Sequence, residues 1–208
     1  MSEMAGAERV RDNEGELDPR VERSRRVILE AVLEELGEVG YGAFSIEGVA
    51  TRAGVGKSTI YRHWDGKLEL VEDAFHTLKA HAHVPEDGPF RDRLVAYLAE
   101  VASLVAESTY STCMPALIEA AERDPNVRAF HTRFAAERRA VLVDLLAEGV
   151  KSGDLPASSD PELLADALLG PIVLRRLMFG EPCAVAEVPS VVAQILPAAP
   201  PPPKSKRP

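Results

Sequence analysis

The chain has 208 residues, 46% of them hydrophobic and 27% charged, with a formal net charge of −9. That length and balance fit a folded protein of one or two small domains with a real core, and they exclude a chain that is basic as a whole, though not one with a local basic face. Cys113 and Cys183 lie far apart without metal-ligand spacing, which points to a reducing compartment and leaves open a pairing if the fold joins them. No apolar run is long enough to cross a bilayer, and the acidic, polar N-terminus lacks a signal-peptide core. The expectation is a cytoplasmic protein.

Residues 1–17 are polar, carry no usable period and are expected to be disordered. Asp18-Pro19 is a good helix start, with Asp as N-cap and Pro in the first turn. Val21, Ile28, Val32, Leu36 and Val39 then recur at helical spacing until Gly40. Ser45 can cap a second, short helix carrying Ile46, Val49, Ala50 and Ala53. Gly54-Val55-Gly56 reads as a turn, and a third helix is predicted over Lys57 to Trp64, ended by Asp65-Gly66. A fourth begins near Lys67 with Leu68, Val71, Phe75 and Leu78 on one face. Further helices are predicted over 90–106, 114–121 and 126–151. Another is opened by Asp160-Pro161 and kinked at Gly170-Pro171, and a last one runs over 187–196. The segment "PAAPPPPKSKRP", residues 197–208, is proline-rich and basic and is expected not to pack. No alternating strand pattern is present, so the fold class is all-α. The expected division is 18–66, then 67–196, with 67–84 as a connecting helix.

The string Gly-Val-Gly-Lys-Ser-Thr, residues 54–59, resembles the end of a nucleotide-binding P-loop. That motif is G-x-x-x-x-G-K-S/T between a buried strand and a helix. Position 51, where the first glycine belongs, is Thr51, and the preceding segment reads as a helix. The alternative is a helix-turn-helix. Ile60 and Trp64 then face the core, which leaves Lys57, Ser58, Thr59, Tyr61, Arg62 and His63 on the outer face or at the helix start. Those side chains suit phosphates and base edges.

Residues 23–71, "RRVILEAVLEELGEVGYGAFSIEGVATRAGVGKSTIYRHWDGKLELV" at their centre, closely resemble the DNA-binding domain of the Tet-repressor (TetR) family of bacterial transcriptional regulators. "AAERDPNVRAFHTRFAAERRAVL", "GDL" and "DPELLADALLGPIVLRRLMFGEP" resemble the C-terminal regulatory domain of one subgroup. The resemblance implies a helix-turn-helix domain plus a helical ligand-binding and dimerisation domain. It implies a homodimer on a palindromic double-stranded DNA operator, most often a repressor, responsive to a small ligand. By position it implies phosphate contacts for Tyr61, His63 and Lys67, and base reading for Lys57, Ser58 and Arg62. Ser45 becomes a helix-start hydroxyl that caps and touches phosphate. There are departures: Gly56 stands where the family often has Ser, Ser58 where it often has Gly, and Glu47 is acidic on the helix that faces the backbone. The acidic start is no basic arm, so Arg20, Arg23, Arg25 and Arg26 are the candidates to supply that charge.

The ligand pocket is expected among inward side chains of the middle helices: Phe75, Leu98, Met114, Leu117, Phe130 and Phe134. That apolar lining fits a hydrophobic or amphipathic small molecule. The expected dimer interface is Leu163, Leu164, Ala167, Leu168, Leu174, Leu177 and Met178 with Val188, Val191, Val192 and Ile195, in a four-helix seam between subunits. No catalytic residue, cofactor, metal or membrane contact is expected. His76, His81 and His83 lack a partner with metal spacing, Tyr61 alternatively reads as a half-buried core phenol, and Cys113 reads as a core residue or a redox switch. The rival functions are a P-loop nucleotide hydrolase and a helical interaction module without DNA binding.

Overall fold

The computed structural model describes residues 19–78, 82–107 and 109–196. Among these residues every regular element is helical: α1 Pro19–Ala43, α2 Ile46–Ala53, α3 Lys57–Tyr61, α4 Lys67–Thr77, α5 Phe90–Glu107, α6 Thr109–Arg123, α7 Pro125–Ser152, α8 Pro161–Leu174 and α9 Val188–Ile195. The predicted tails 1–17 and 197–208, His81, and the proposed cap Asp18 lie outside the described residues.

The apolar stripe of α1 does what its spacing dictates. Ile28, Val32 and Leu36 are fully buried, with Leu29 and Leu33 beside them. The helix is broken where Gly40 predicts it, because Gly40 takes φ 72°, ψ 165°, a backbone region other residues avoid. One more helical turn follows to Ala43. α7 and α8 both start on an Asp-Pro pair. The Asp124 carboxylate accepts from the Asn126 N–H at 2.8 Å, and the Asp160 carboxylate accepts from the Glu162 N–H at 3.0 Å. In each case the proline supplies a first-turn residue whose missing N–H costs nothing.

Three boundaries differ from expectation. α3 ends at Tyr61 rather than Trp64, and Arg62–His63 form a turn. α6 starts at Thr109 rather than Met114 and contains Pro115. That proline has no N–H to offer the Ser111 carbonyl one turn back; the Arg176 Nη2 sits 3.4 Å from that oxygen, while its Nε donates to Ser111 Oγ at 2.8 Å. α8 passes through Gly170-Pro171 without stopping. The irregularity comes later, as a π-helical turn over Arg175–Phe179 that Gly180 closes.

The buried side chains form two cores. The first joins α1 to α4 with α6 and the first half of α7: Ile60, Trp64, Leu70, Phe75, Cys113, Met114, Leu117, Phe130 and Phe134 belong to it. The second joins α5, the other half of α7, α8 and α9 around Leu94, Leu98, Leu142, Leu146, Leu168, Val188 and Val192. The 28-residue α7, about 42 Å long, is a wall of both. Of the eleven residues expected at a dimer interface, Leu168, Val188 and Val192 are instead buried within this second core. Their side chains are already covered within one chain. Leu164, Leu177, Val191 and Ile195 are half-buried, whereas Ala167, Leu163, Leu174 and Met178 are exposed. Phe179, absent from the expected set, is exposed beside them.

Candidate nucleic-acid interface

Ser45 starts the arrangement. Its Oγ accepts the Gly48 N–H at 3.0 Å and caps α2, which leaves the hydroxyl proton free to donate outward. At the other end of α2, Gly54 takes φ 67°, ψ 31° and its N–H reaches the Ala50 and Thr51 carbonyls. Gly56, by contrast, has ordinary extended backbone and serves as N-cap of α3. Only the first glycine of the turn is demanded by conformation. Arg52 ties α2 to α1 through Glu35 at 3.1 Å, Glu34 at 3.7 Å and a close pair with Glu38, and those hydrogen bonds hold the guanidinium pKa above its ordinary value.

α3 is five residues long, too short to be stable alone. It is anchored from beneath by Ile60, fully buried, and by Trp64, 3% exposed, just beyond its end. Four residues apart, they occupy one face. Lys57, Ser58, Tyr61, Arg62 and His63 are exposed on the other side and Thr59 is half-buried. Tyr61 is 56% exposed, so the reading of it as a core phenol does not hold. The Lys57 ammonium lies 3.2 Å from Glu47. The acidic residue on α2 therefore pairs with Lys57 across the turn. Arg62 has no acidic partner among the described residues.

Lys67 departs from its expected place. Its Nζ donates to the Tyr41 carbonyl and sits 3.9 Å from the centre of the Tyr41 ring, with the Phe44 ring at 5.5 Å. A cation at the carbonyl end of α1 meets that helix's negative pole. Burial pushes its pKa below the ordinary lysine value. Here Lys67 joins α4 to α1 and does not share the outer face of α3. Of the four N-terminal arginines, Arg25 is engaged by Asp73 and Arg26 pairs loosely with Glu30 at 3.9 Å, while Arg23 is exposed. Nothing is described of the Arg20 side chain.

The six side chains expected to line a pocket are divided between the two cores. Phe75 packs edge-to-face on Phe130 and Phe134, which are tilted against each other, with ring centres 5.4 to 5.9 Å apart. Met114 and Leu117 lie in the same closed core, and Leu98 belongs to the other one. A cleft of about 320 Å³ lies between α1, the end of α3 and α4, with Arg25, His63, Trp64, Asp73 and His76 among its walls. Cys113 is buried, its Sγ 2.8 Å from the Thr109 carbonyl and 3.2 Å from that of Leu33. Desolvation pushes its pKa up to about 11, which leaves almost no thiolate to react. Both cysteines are free thiols. Among the described residues no group of three His, Cys, Asp or Glu is placed to hold a metal ion.

The polar ties that orient these helices were missed from sequence: Arg25 and Trp64 on Asp73, Arg133 on Glu72, Arg52 on its three glutamates. One signal was available. A buried indole N–H needs a partner, and Trp64 is followed nine residues later by Asp73 on the next helix.

Comparison with known proteins decides the family. Residues 28–74 match the family described as bacterial regulatory proteins, tetR family, and residues 84–195 match the tetracyclin repressor-like C-terminal domain. The chain belongs to the TetR family. It is 32% identical over 165 residues to the HTH-type transcriptional regulator YdeS of Bacillus subtilis, covering 78% of this chain and 83% of that one. It is 29% identical over 180 residues to a DNA-binding transcriptional repressor TetR of Mycobacteroides abscessus, covering 85% and 94%. The solved TetR family regulator SCO0332 superposes with a TM-score of 0.64 at 29% identity, over 83% of this chain and 96% of that one. The FadR regulator of Bacillus subtilis, solved in complex with stearoyl-CoA, shares the fold at 20% identity, with a TM-score of 0.68 over 82% and 97%.

As a TetR-family protein the chain is a helix-turn-helix transcriptional regulator, in a family of regulators rather than enzymes. The Gly54-Val55-Gly56 part of the Gly-Val-Gly-Lys-Ser-Thr string is its inter-helix turn and Lys57-Ser58-Thr59 open α3, while the segment before the string is the helix α2 where a P-loop requires a strand. No helix of the described residues is long and apolar enough to cross a membrane.

Proposed function

We propose that this regulator acts as a homodimer that reads a two-fold symmetric operator with the outer face of α3 and releases it when a hydrophobic or amphipathic small molecule binds. The observation that carries the reading is the division of α3: Ile60 and Trp64 buried, and Lys57, Ser58, Tyr61, Arg62 and His63 presented together to solvent. Arg62 and Ser58 face base edges, Lys57 exchanges Glu47 for DNA, and Tyr61, His63 and Ser45 donate to phosphates. The dimer forms along α8 and the π-helical turn. Leu163 and Met178, 66% and 71% exposed, are supported by Leu174 and Phe179, an apolar surface a solvated monomer seldom keeps. A two-fold dimer places its half-sites about one DNA turn apart or a multiple of it. The ligand reading is supported by the related fold solved with stearoyl-CoA. The closed Phe75, Phe130 and Phe134 core means that such a ligand enters by parting α4 from α7.

The test is selection of bound duplexes from random DNA, followed by fluorescence anisotropy on the selected and a scrambled sequence. An inverted repeat bound by two chains, and weakened by acyl-CoA or free fatty acid, is the expected outcome. Selection that enriches no sequence would overturn the reading.

A further inference from the structure

Three helices meet at one carboxylate. The Arg25 Nη2, from α1, lies 2.8 Å from Asp73 Oδ1 and 2.7 Å from Oδ2. The Trp64 indole N–H, at the exit of α3, donates to Asp73 Oδ2 at 2.9 Å. Asp73 itself is on α4. The residue before it, Glu72, is about 100° around that helix and pairs with Arg133 of α7 at 3.1 Å. Adjacent α4 residues thus grip different neighbours: Asp73 holds the reading helix and Glu72 holds the long helix shared by both cores.

The apolar anchors of α3, Ile60 and the Trp64 ring, fix how deeply it sits. Burial of that face is non-directional, however, and sets the rotation only coarsely. A hydrogen bond is directional. With a helix of five residues, the bond from Trp64 to Asp73 governs which way Tyr61 and Arg62 point. The cleft beside it leaves room on one side for α4 to move.

We propose that Asp73 is a positioning residue for DNA reading: its bond with Trp64 sets the rotation of α3, and the adjoining Glu72–Arg133 pair makes that setting respond to α7. This rests on α3 being the DNA reader. Trp64→Phe keeps an aromatic anchor, smaller than the indole, and removes the N–H. It weakens operator binding about tenfold and narrows the ratio of selected to scrambled DNA. It leaves the salt dependence unchanged, because no phosphate contact is removed. Asp73→Ala falls in the same way, and Asp73→Asn, which retains an acceptor, restores binding to within about threefold of wild type. Arg133→Gln changes operator affinity in the wild-type background and has no further effect in Trp64→Phe.

The measurements are anisotropy on the intact protein across a salt series, with thermal unfolding of each variant. Trp64→Phe binding like wild type, losses equal on selected and scrambled DNA, or an Arg133→Gln effect of the same size in both backgrounds would each overturn the proposal. Arg62→Ala separates the two ideas. If it leaves binding intact, α3 is not the reader. If it weakens binding while Trp64→Phe does not, the positioning role alone fails.

Discussion

The two ends of this chain are organised by different forces. In the DNA-binding end, helices of five, eight and eleven residues are pinned by directional polar contacts: Arg52 on α1, Asp73 on Trp64 and Arg25, Lys67 on Tyr41. At the far end, α8, α9 and the second half of α7 are held by apolar burial, with Arg139 bridging to Asp166 at 2.6 Å on the outside. Short helices offer too little area for packing alone to orient them, so an end that must present side chains in register relies on charge and hydrogen bonds. The end with area to spare leaves apolar side chains uncovered.

The sharpest break of that contrast is inside the first core. Phe130→Ala deletes a ring packed against Phe75 and Phe134, and its cost is about 3–5 kcal/mol if the core is as closed as it stands. Urea unfolding of the variant reads this directly; a cost under about 1 kcal/mol would mean that the rings line an open cavity.

Paired substitution at the far end acts on assembly rather than folding. Leu163→Glu with Met178→Glu places like charges on the uncovered face. Light scattering at micromolar concentration is expected to show a monomer with unchanged helicity and with operator affinity lost. A dimer that survives this pair is built on another surface.

Recognition itself comes next in size. Arg62→Ala is expected to cost about 1–3 kcal/mol and to relax base preference at one position of each half-site. Lys67→Ala is expected to leave the salt slope unchanged, because the ammonium is turned onto Tyr41; a slope shallower by about one per subunit would place it on a phosphate instead.

Alkaline pH gives a smaller, graded effect. Burial raises the Cys113 pKa from 9.0 to about 11, so the folded state holds the thiol proton more tightly than the unfolded chain. Stability from this group is complete below pH 9.0 and falls as pH rises toward 11, by about 2 kcal/mol. Burial also raises the pKa of Tyr41 and Tyr97, with the same sign, while the lowered pKa of Lys67 opposes them. Denaturant unfolding of wild type and Cys113→Ala between pH 8 and 11 isolates the thiol as the part of the slope the variant lacks.

Much of this organisation was legible from local chemistry. Period, the Ser45 cap and the Gly54 turn placed the helices of the reading end, and the Ile60 and Trp64 spacing separated the buried face of α3 from the outward one. What escaped was any relation between distant residues. The family resemblance implies a phosphate contact for Lys67, yet Tyr41, 26 positions earlier, supplies both a carbonyl and a ring. Val188 and Val192 were assigned to an interface because their helix is apolar, but burial in the second core takes those two side chains and leaves Met178 and Phe179 outside. The expected pocket lining meets the same limit. Periodicity tells which side chains face inward, not whether opposite walls touch, and Leu98 faces a different interior from Phe75.

The length of α7 has a consequence for how this protein can be divided. The reading end borrows Phe130 and Phe134 from α7 and Cys113, Met114 and Leu117 from α6 to close its interior. A fragment stopping after α4 would keep every DNA-facing residue and lose that lid, leaving Phe75 and Leu70 bare to water. Since α7 continues into the other interior, melting one half strips a wall from the other. The whole is therefore expected to come apart in a single cooperative step. The reading head is a region of sequence that can be recognised by itself, but it is not a unit that can be cut out and refolded.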